Sequence, residues 1–299
     1  MNVHRTPEER FEGLPDFPWE PVYRDWNGLR LAHLDEGEGP PVLLLHGEPT
    51  WSFLWRKVVP PIIEAGYRCI VPDLPGFGRS DKPEDDGWYS FTNYTDSVAD
   101  LVRQLDLTDA TAVVHDWGGP LGLYVASVAE RDRFTRLVAM NTGAFNGHQK
   151  MSDNWHHFAD FVAANHDLPI EPLIQGATST DLSEEVLAGY TAPFDSPEAK
   201  AGPRTFPGLI PQTPDAPGAA EGQETMDVLV ADSRPALLLW GTDDPALPLD
   251  PVGLAVQLLF PGAGPLEPIE RASHFLQEDR GELIGNRIAE WLDSTAGGD

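Results

Sequence analysis

The chain has 299 residues, 41% of them hydrophobic, enough for one substantial core or a core with an inserted segment. It carries 48 acidic against 20 basic residues, a formal net charge of −28, so its surface repels nucleic acid and anionic membranes. No apolar run reaches the ~18 residues of a transmembrane helix, and the single cysteine, Cys69, excludes an internal disulfide and a cysteine-based metal site.

That charge far exceeds the roughly 2 to 8 that suits a small soluble domain. The basic side is skewed as well: only Lys57, Lys82, Lys150 and Lys200 are lysines. In dilute buffer such a chain repels itself, a penalty that molar salt largely removes. A salt-rich cytoplasm is the expectation, an ordinary acidic protein the alternative. The first ten residues lack the apolar stretch of a signal peptide, which also points to the cytoplasm.

Taken in chain order, short apolar runs alternate with helical patterns. Val42–Leu45 reads as a strand and runs into His46-Gly47-Glu48-Pro49-Thr50-Trp51-Ser52. Tyr67–Val71 is the next strand, and Asp73-Leu74-Pro75-Gly76-Phe77-Gly78-Arg79-Ser80-Asp81-Lys82-Pro83 follows it. Val98, Leu101, Val102 and Leu105 recur at helical spacing, which predicts a helix over Thr92–Leu105. Strand Ala112–Val114 leads into His115-Asp116-Trp117-Gly118-Gly119, and Leu121–Ala126 reads as a helix. Leu137–Met140 is a further strand. Between 143 and 230 the strand rhythm stops, leaving helix-like pieces at Asn154–Ala164 and Leu182–Tyr190 among Pro/Gly-rich connections. Strands return at Ala236–Trp240 and Leu266–Ile269, and Ile284, Ile288, Trp291 and Leu292 mark a closing helix. Such alternation predicts an α/β fold, a mostly parallel sheet with helices on both faces.

The strand–turn–helix around Asp116 is the context of a nucleophile elbow, with Asp where hydrolases usually carry Ser. The substitution decides the chemistry. A serine that displaced a leaving group from sp³ carbon would be left as an ether, which water does not cleave. A carboxylate becomes an ester, which an activated water can hydrolyse. Asp116 therefore points to attack at a carbon–halogen bond or an epoxide.

The three loops His46–Ser52, Asp73–Pro83 and His115–Gly119 together closely resemble the haloalkane dehalogenases of the α/β-hydrolase fold. The likeness is greatest to the branch with Glu after the His-Gly pair and Trp after the nucleophile. It runs from about Gly28 to Leu292 and is loose between about 143 and 230. One departure is Val114, two before the nucleophile, where the elbow pattern has Gly. The resemblance implies an α/β-hydrolase core over 1–142 and 230–299, with a helical cap inserted at 143–229.

Within that frame the triad runs nucleophile, acid, base. Asp116 attacks, and His274, in Ser273-His274-Phe275-Leu276-Gln277-Glu278 just past the last strand, is the base. His46, His115, His156 and His157 lack that placement. The acid lies after Ala236–Trp240, where Asp243 and Asp244 are adjacent, and the family's Gly-x-x-Asp register favours Asp244. Asn141, Thr142, Gly143 and Ala144 after the earlier strand offer no carboxylate. By analogy the backbone N–H groups of Glu48 and Trp117 form the oxyanion hole. Another branch has Asn at position 48, whose amide helps bind halide, a role a Glu carboxylate does not share. Indole N–H groups suit a halide in a dry pocket, which makes Trp117 one donor and Trp155, the only Trp from 143 to 229, the second. Trp51, Trp55 and Trp240 are expected to be structural. Expected pocket walls are Phe145, Phe206, Pro207, Leu247 and Phe275.

The expected reaction takes a haloalkane and water to an alcohol, a halide ion and a proton, with no cofactor or metal, in a monomer or small homo-oligomer. An epoxide hydrolase is the nearest alternative; it adds a pair of cap tyrosines, whereas segment 143–229 holds only Tyr190. A haloacid dehalogenase would want Arg near the nucleophile, where Trp117 stands. A non-catalytic binding protein is the rival from another class, and the intact triad argues against it.

Overall fold

Apolar runs with nothing polar to show to solvent must be covered on both faces, and such runs build the middle of the sheet. The computed structural model describes residues 1–295. Its main sheet has eight strands: β1 (Val22–Trp26), β2 (Leu29–Glu36), β3 (Pro41–Leu45), β4 (Arg68–Pro72), β5 (Ala110–Asp116), β6 (Phe134–Thr142), β7 (Ala236–Gly241) and β8 (Glu267–Ile269). Their order is β8-β7-β6-β5-β3-β4-β2-β1. From β8 to β4 every neighbouring pair is parallel, and β2 and β1 add antiparallel partners at one edge. This is the α/β-hydrolase fold.

All six predicted strands are present, and β1 and β2 come in addition. They form a hairpin whose two loop residues, Asn27 and Gly28, both have positive φ (50° and 81°). Asn-Gly between two β-prone runs is a strong short-range hairpin signal, because both residues tolerate the left-handed turn that matches strand twist.

Helix α1 spans Val59–Glu64 and packs against the last helix. Helix α2, Phe91–Gln104, begins where Ser90 Oγ accepts the Asn93 N–H at 3.1 Å, a side-chain cap. Helix α3 covers Gly118–Tyr124 directly after β5. Five helices lie between β6 and β7: α4 (Asp153–Ala164), α5 (Ile170–Gly176), α6 (Glu184–Thr191), α7 (Ala201–Thr205) and α8 (Ala219–Leu229). Composition alone showed only α4 and α6, since Pro and Gly break up the pattern of the rest. After β7 come α9 (Leu254–Gln257) and the long α10 (Leu276–Thr295).

The first eleven residues reach across the molecule. Val3–His4 pairs with Lys82–Pro83, Arg5 holds both Asp81 carboxylate oxygens (2.7 and 2.8 Å), and Thr6 Oγ1 donates to the Pro193 carbonyl at 2.7 Å. The Asp73–Pro83 loop is tied down by its own acids: Asp73 accepts the N–H groups of Ser52 and Arg79. Cys69 is free and buried in β4. Among the described residues no helix is long and apolar enough to cross a membrane, and no three His, Cys, Asp or Glu side chains are gathered as for a metal ion.

Candidate active site

Strand β5 ends at Asp116, whose φ of +50° is a left-handed conformation that costs a non-glycine residue about 1–3 kcal/mol. The chain turns there into α3, so the carboxylate stands at the carboxyl edge of the sheet. The approach is tight. A Cβ on Gly47 would lie 2.0 Å from Asp116 Oδ1, and one on Gly119 would lie 1.7 Å from Thr142 Oγ1. Val114, in place of the usual glycine, is accommodated because Gly122 opposite it has no side chain: a Cβ there would meet Val114 Cγ1 at 2.6 Å.

His274 sits in the loop between β8 and α10 and spans two carboxylates. Its Nδ1 is 2.8 Å from Asp244 Oδ2 and its Nε2 is 3.2 Å from Asp116 Oδ2. Asp244 is held from four directions: besides His274, Asn141 Nδ2 donates at 2.6 Å, and the N–H groups of Ala246 and Leu247 donate at 2.7 and 3.0 Å. Asn141, at the alternative acid position at the end of β6, thus donates to Asp244 after β7. Asp243 turns away towards Thr242 Oγ1 and Ser179 Oγ.

The electrostatics follow from this geometry. Burial opposes charge on His274, but Asp244 and Asp116 outweigh it and raise the imidazole to about 10. Burial likewise opposes charge on Asp244, and His274 with the donors around it brings the carboxyl down to about 2. Asp116 is also lowered, its burial overcome chiefly by His274. At rest the trio is an imidazolium between two carboxylates.

Asp116 Oδ1 accepts the backbone N–H of Glu48 at 2.7 Å, and the Trp117 N–H also favours the charged carboxylate. These are the two donors expected for an oxyanion hole. The Glu48 side chain lies beside the same carboxylate. It is buried with Oε1 lacking any partner, and burial followed by the Asp116 charge pushes its carboxyl well above the usual range. In its neutral form Glu48 carries an O–H and can donate a hydrogen bond.

A cavity of about 430 Å³ opens over Asp116. Asp116, Glu48, His274 and Trp117 are among the residues that line it. Trp155, on α4, lines the same cavity. The other tryptophans do not: Trp51 and Trp240 donate their indole N–H to the carbonyls of Gly189 and Leu247, and Trp55 is fully buried.

Residues 40–280 match the family model of the alpha/beta hydrolase fold. A haloalkane dehalogenase of Mycolicibacterium paratuberculosis is 39% identical, covering 97% of this chain and 98% of its own length. One from Psychrobacter cryohalolentis is 36% identical over 98% of both. The chain belongs to the haloalkane dehalogenase family. Among solved structures, the tetrameric haloalkane dehalogenase of Paraglaciecola agarilytica superposes with a TM-score of 0.91 at 34% identity, covering 96% of this chain and 97% of the other.

Four of the five residues expected to wall the cavity do so. Phe145, Pro207, Leu247 and Phe275 line it. Phe206 does not: it is fully buried and stacks on Trp117 (4.9 Å), Phe77 (4.9 Å) and Tyr94 (4.8 Å), bracing Trp117 from behind. The 3₁₀ turn Phe206–Leu209 explains the difference, since neighbouring residues on it point different ways. Met151, Phe158, Leu173 and Ile210 line the cavity and were not anticipated. Trp155 and Phe158 are three apart on α4, a spacing that puts both on one helix face, whereas Met151 precedes the helix cap Ser152.

Proposed function

We propose that this chain hydrolyses haloalkanes to an alcohol, a halide ion and a proton through an ester on Asp116. The observation that carries the proposal is the placement of His274 Nε2 3.2 Å from Asp116 Oδ2 and of Nδ1 2.8 Å from Asp244 Oδ2, in a largely apolar cavity. The names of the relatives support the same chemistry.

In the first step Asp116 Oδ2 attacks the halogen-bearing carbon and the carbon–halogen bond breaks with its electron pair on the halide. Trp117 and Trp155 offer neutral donors to that halide, a match for a diffuse anion in a dry pocket. Ester formation removes the charge of Asp116. One of the carboxylates that keep His274 protonated is then gone, so the imidazolium gives its extra proton to solvent and becomes the basic form; this is the proton released overall. In the second step His274 takes a proton from water, and the resulting hydroxide attacks the Asp116 carboxyl carbon. The Glu48 and Trp117 N–H groups stabilise the oxyanion, and Asp244 stabilises the imidazolium. Collapse expels the alkoxide, which takes the imidazolium proton and leaves as the alcohol, and the Asp116 carboxyl then passes its proton to His274, restoring the carboxylate and the imidazolium.

The segment 143–229 acts in this proposal as a cap that supplies Trp155 and excludes water. Glu48 after the His-Gly pair and Trp117 after the nucleophile support assigning the chain to the branch that carries those two residues. No cofactor enters the reaction. Epoxide hydrolysis is disfavoured because Tyr190 is buried, with its hydroxyl donating to Glu278. A halide-release assay over chlorinated and brominated alkanes, alongside diol formation from epoxides, tests the proposal. Halide release without diol formation is expected. Diol formation alone would replace the proposal with the epoxide reaction.

A further inference from the structure

The base loop is fastened to the nucleophile strand by a residue that takes no part in the chemistry above. His115, immediately before Asp116 on β5, is fully buried, and its Nε2 lies 2.8 Å from the carbonyl oxygen of His274. A carbonyl only accepts, so Nε2 carries the proton and donates. Nδ1 is then the lone-pair nitrogen, and it is buried with no partner. The two imidazole rings are 5.0 Å apart at their centroids and tilted by 48°.

We infer that His115 is a positioning residue, which uses the Nε2–H bond to the His274 carbonyl to set the catalytic imidazole over Asp116. The inference rests on the proposed role of His274 as the base for ester hydrolysis. Three anchors hold the backbone around His274: the Ser273 N–H donates to Asp279 Oδ2 at 2.8 Å, the Phe275 N–H donates to the Ala177 carbonyl at 3.0 Å, and His115 takes the residue between them. Only the His115 bond originates on the strand that carries the nucleophile. It therefore fixes base and nucleophile relative to each other, whereas Asp244 fixes the ring from the β7 side. Burial, with the nearby His274 charge adding to it, lowers His115 to about 4, so its donor tautomer persists across the range in which the enzyme would work.

Ester formation depends on the Asp116 carboxylate and ester hydrolysis on the His274 base, so loss of His115 should fall on the second step. The test compares wild type with His115→Phe, which removes the donor and keeps a ring, and His115→Gln, whose amide N–H can reach the same carbonyl. Rapid-quench mass spectrometry with a bromoalkane follows the alkylated protein. In His115→Phe, ester hydrolysis should slow at least tenfold with ester formation changed less than threefold, and His115→Gln should recover most of the loss. Solvent exchange of the His274 Nδ1–H, followed by its downfield proton NMR signal, should quicken in His115→Phe and return towards wild type in His115→Gln. Equal losses in both steps with no rescue by Gln, or unchanged hydrolysis and exchange, would overturn the inference. A wild type that never forms an ester would instead overturn the ester mechanism, and the NMR comparison would still decide the positioning role.

Discussion

The backbone N–H of Glu48 lies 2.7 Å from Oδ1 of Asp116, while Oδ2 of the same carboxylate faces His274. The two oxygens are thus given different tasks by the fold. Oδ1 accepts the Glu48 N–H, and Oδ2, turned to His274, is the oxygen to which the proposed mechanism assigns the attack on carbon. Gly47 makes this possible, because any side chain there would collide with the carboxylate.

Halide binding should depend on both cavity tryptophans. Trp117→Phe and Trp155→Phe each keep an aromatic wall and remove one N–H. A hydrogen bond to a charged group contributes about 1.5–3 kcal/mol, which corresponds to roughly a ten- to hundredfold weaker Kd. Quenching of indole fluorescence by bromide or iodide measures this. Unchanged halide affinity in Trp155→Phe would move the second donor to another part of the segment 143–229.

The ionised trio should leave a signature in stability against pH. His274 has a pKa of about 10 in the fold, above its ordinary 6.5, so its pairing stabilises fully below about 6.5 and is lost as pH rises towards 10. Asp244, lowered from 3.8 to about 2, contributes above about 3.8 and loses that contribution as pH falls through 2. Buried Lys82, lowered to about 8 by desolvation, acts with the opposite sign in the alkaline range. The comparison therefore has to be between proteins: from pH 7 to 10, Tm should fall more in wild type than in His274→Gln. Parallel curves would mean that His274 is not held as an imidazolium.

Much of the site was legible because its chemistry demands particular residues at particular turns. Asp116 between an apolar strand and two glycines, and His274 past the last strand, could be placed from the sequence, and the acid was narrowed to adjacent candidates. Geometry then separates Asp244, which faces His274, from Asp243, which faces Ser179. The Asn27-Gly28 hairpin was not among the predicted elements, although the two-residue left-handed turn between β-prone runs carried the signal for it. Other features depend on packing between distant segments. Phe206 was expected in the wall and instead supports Trp117, because the direction of a side chain on a short 3₁₀ turn is set by tertiary contacts. The bond from His115 to the His274 carbonyl joins residues 159 positions apart and has no local pattern.

Salt should stabilise the protein. With 48 acidic and 20 basic residues, the folded state concentrates like charges that the expanded chain spreads out. The screening length falls from about 10 Å at 0.1 M to about 3 Å at 1 M. Tm and activity should both rise towards molar KCl. Potassium glutamate separates screening from halide binding at the tryptophans. A Tm that stays flat or falls between about 0.1 and 2 M in both salts would contradict a salt-adapted surface.

The ester on Asp116 is the central claim, and intact-protein mass spectrometry tests it most directly. Ester formation needs only the carboxylate, and its hydrolysis needs the base. After incubation with a bromoalkane, folded His274→Gln should therefore carry the mass of one alkyl group, located by peptide mapping on Asp116. Asp116→Ala should remain unmodified and inactive. A correctly folded His274→Gln protein with no added alkyl mass, in a preparation whose wild type releases halide, would contradict the two-step mechanism.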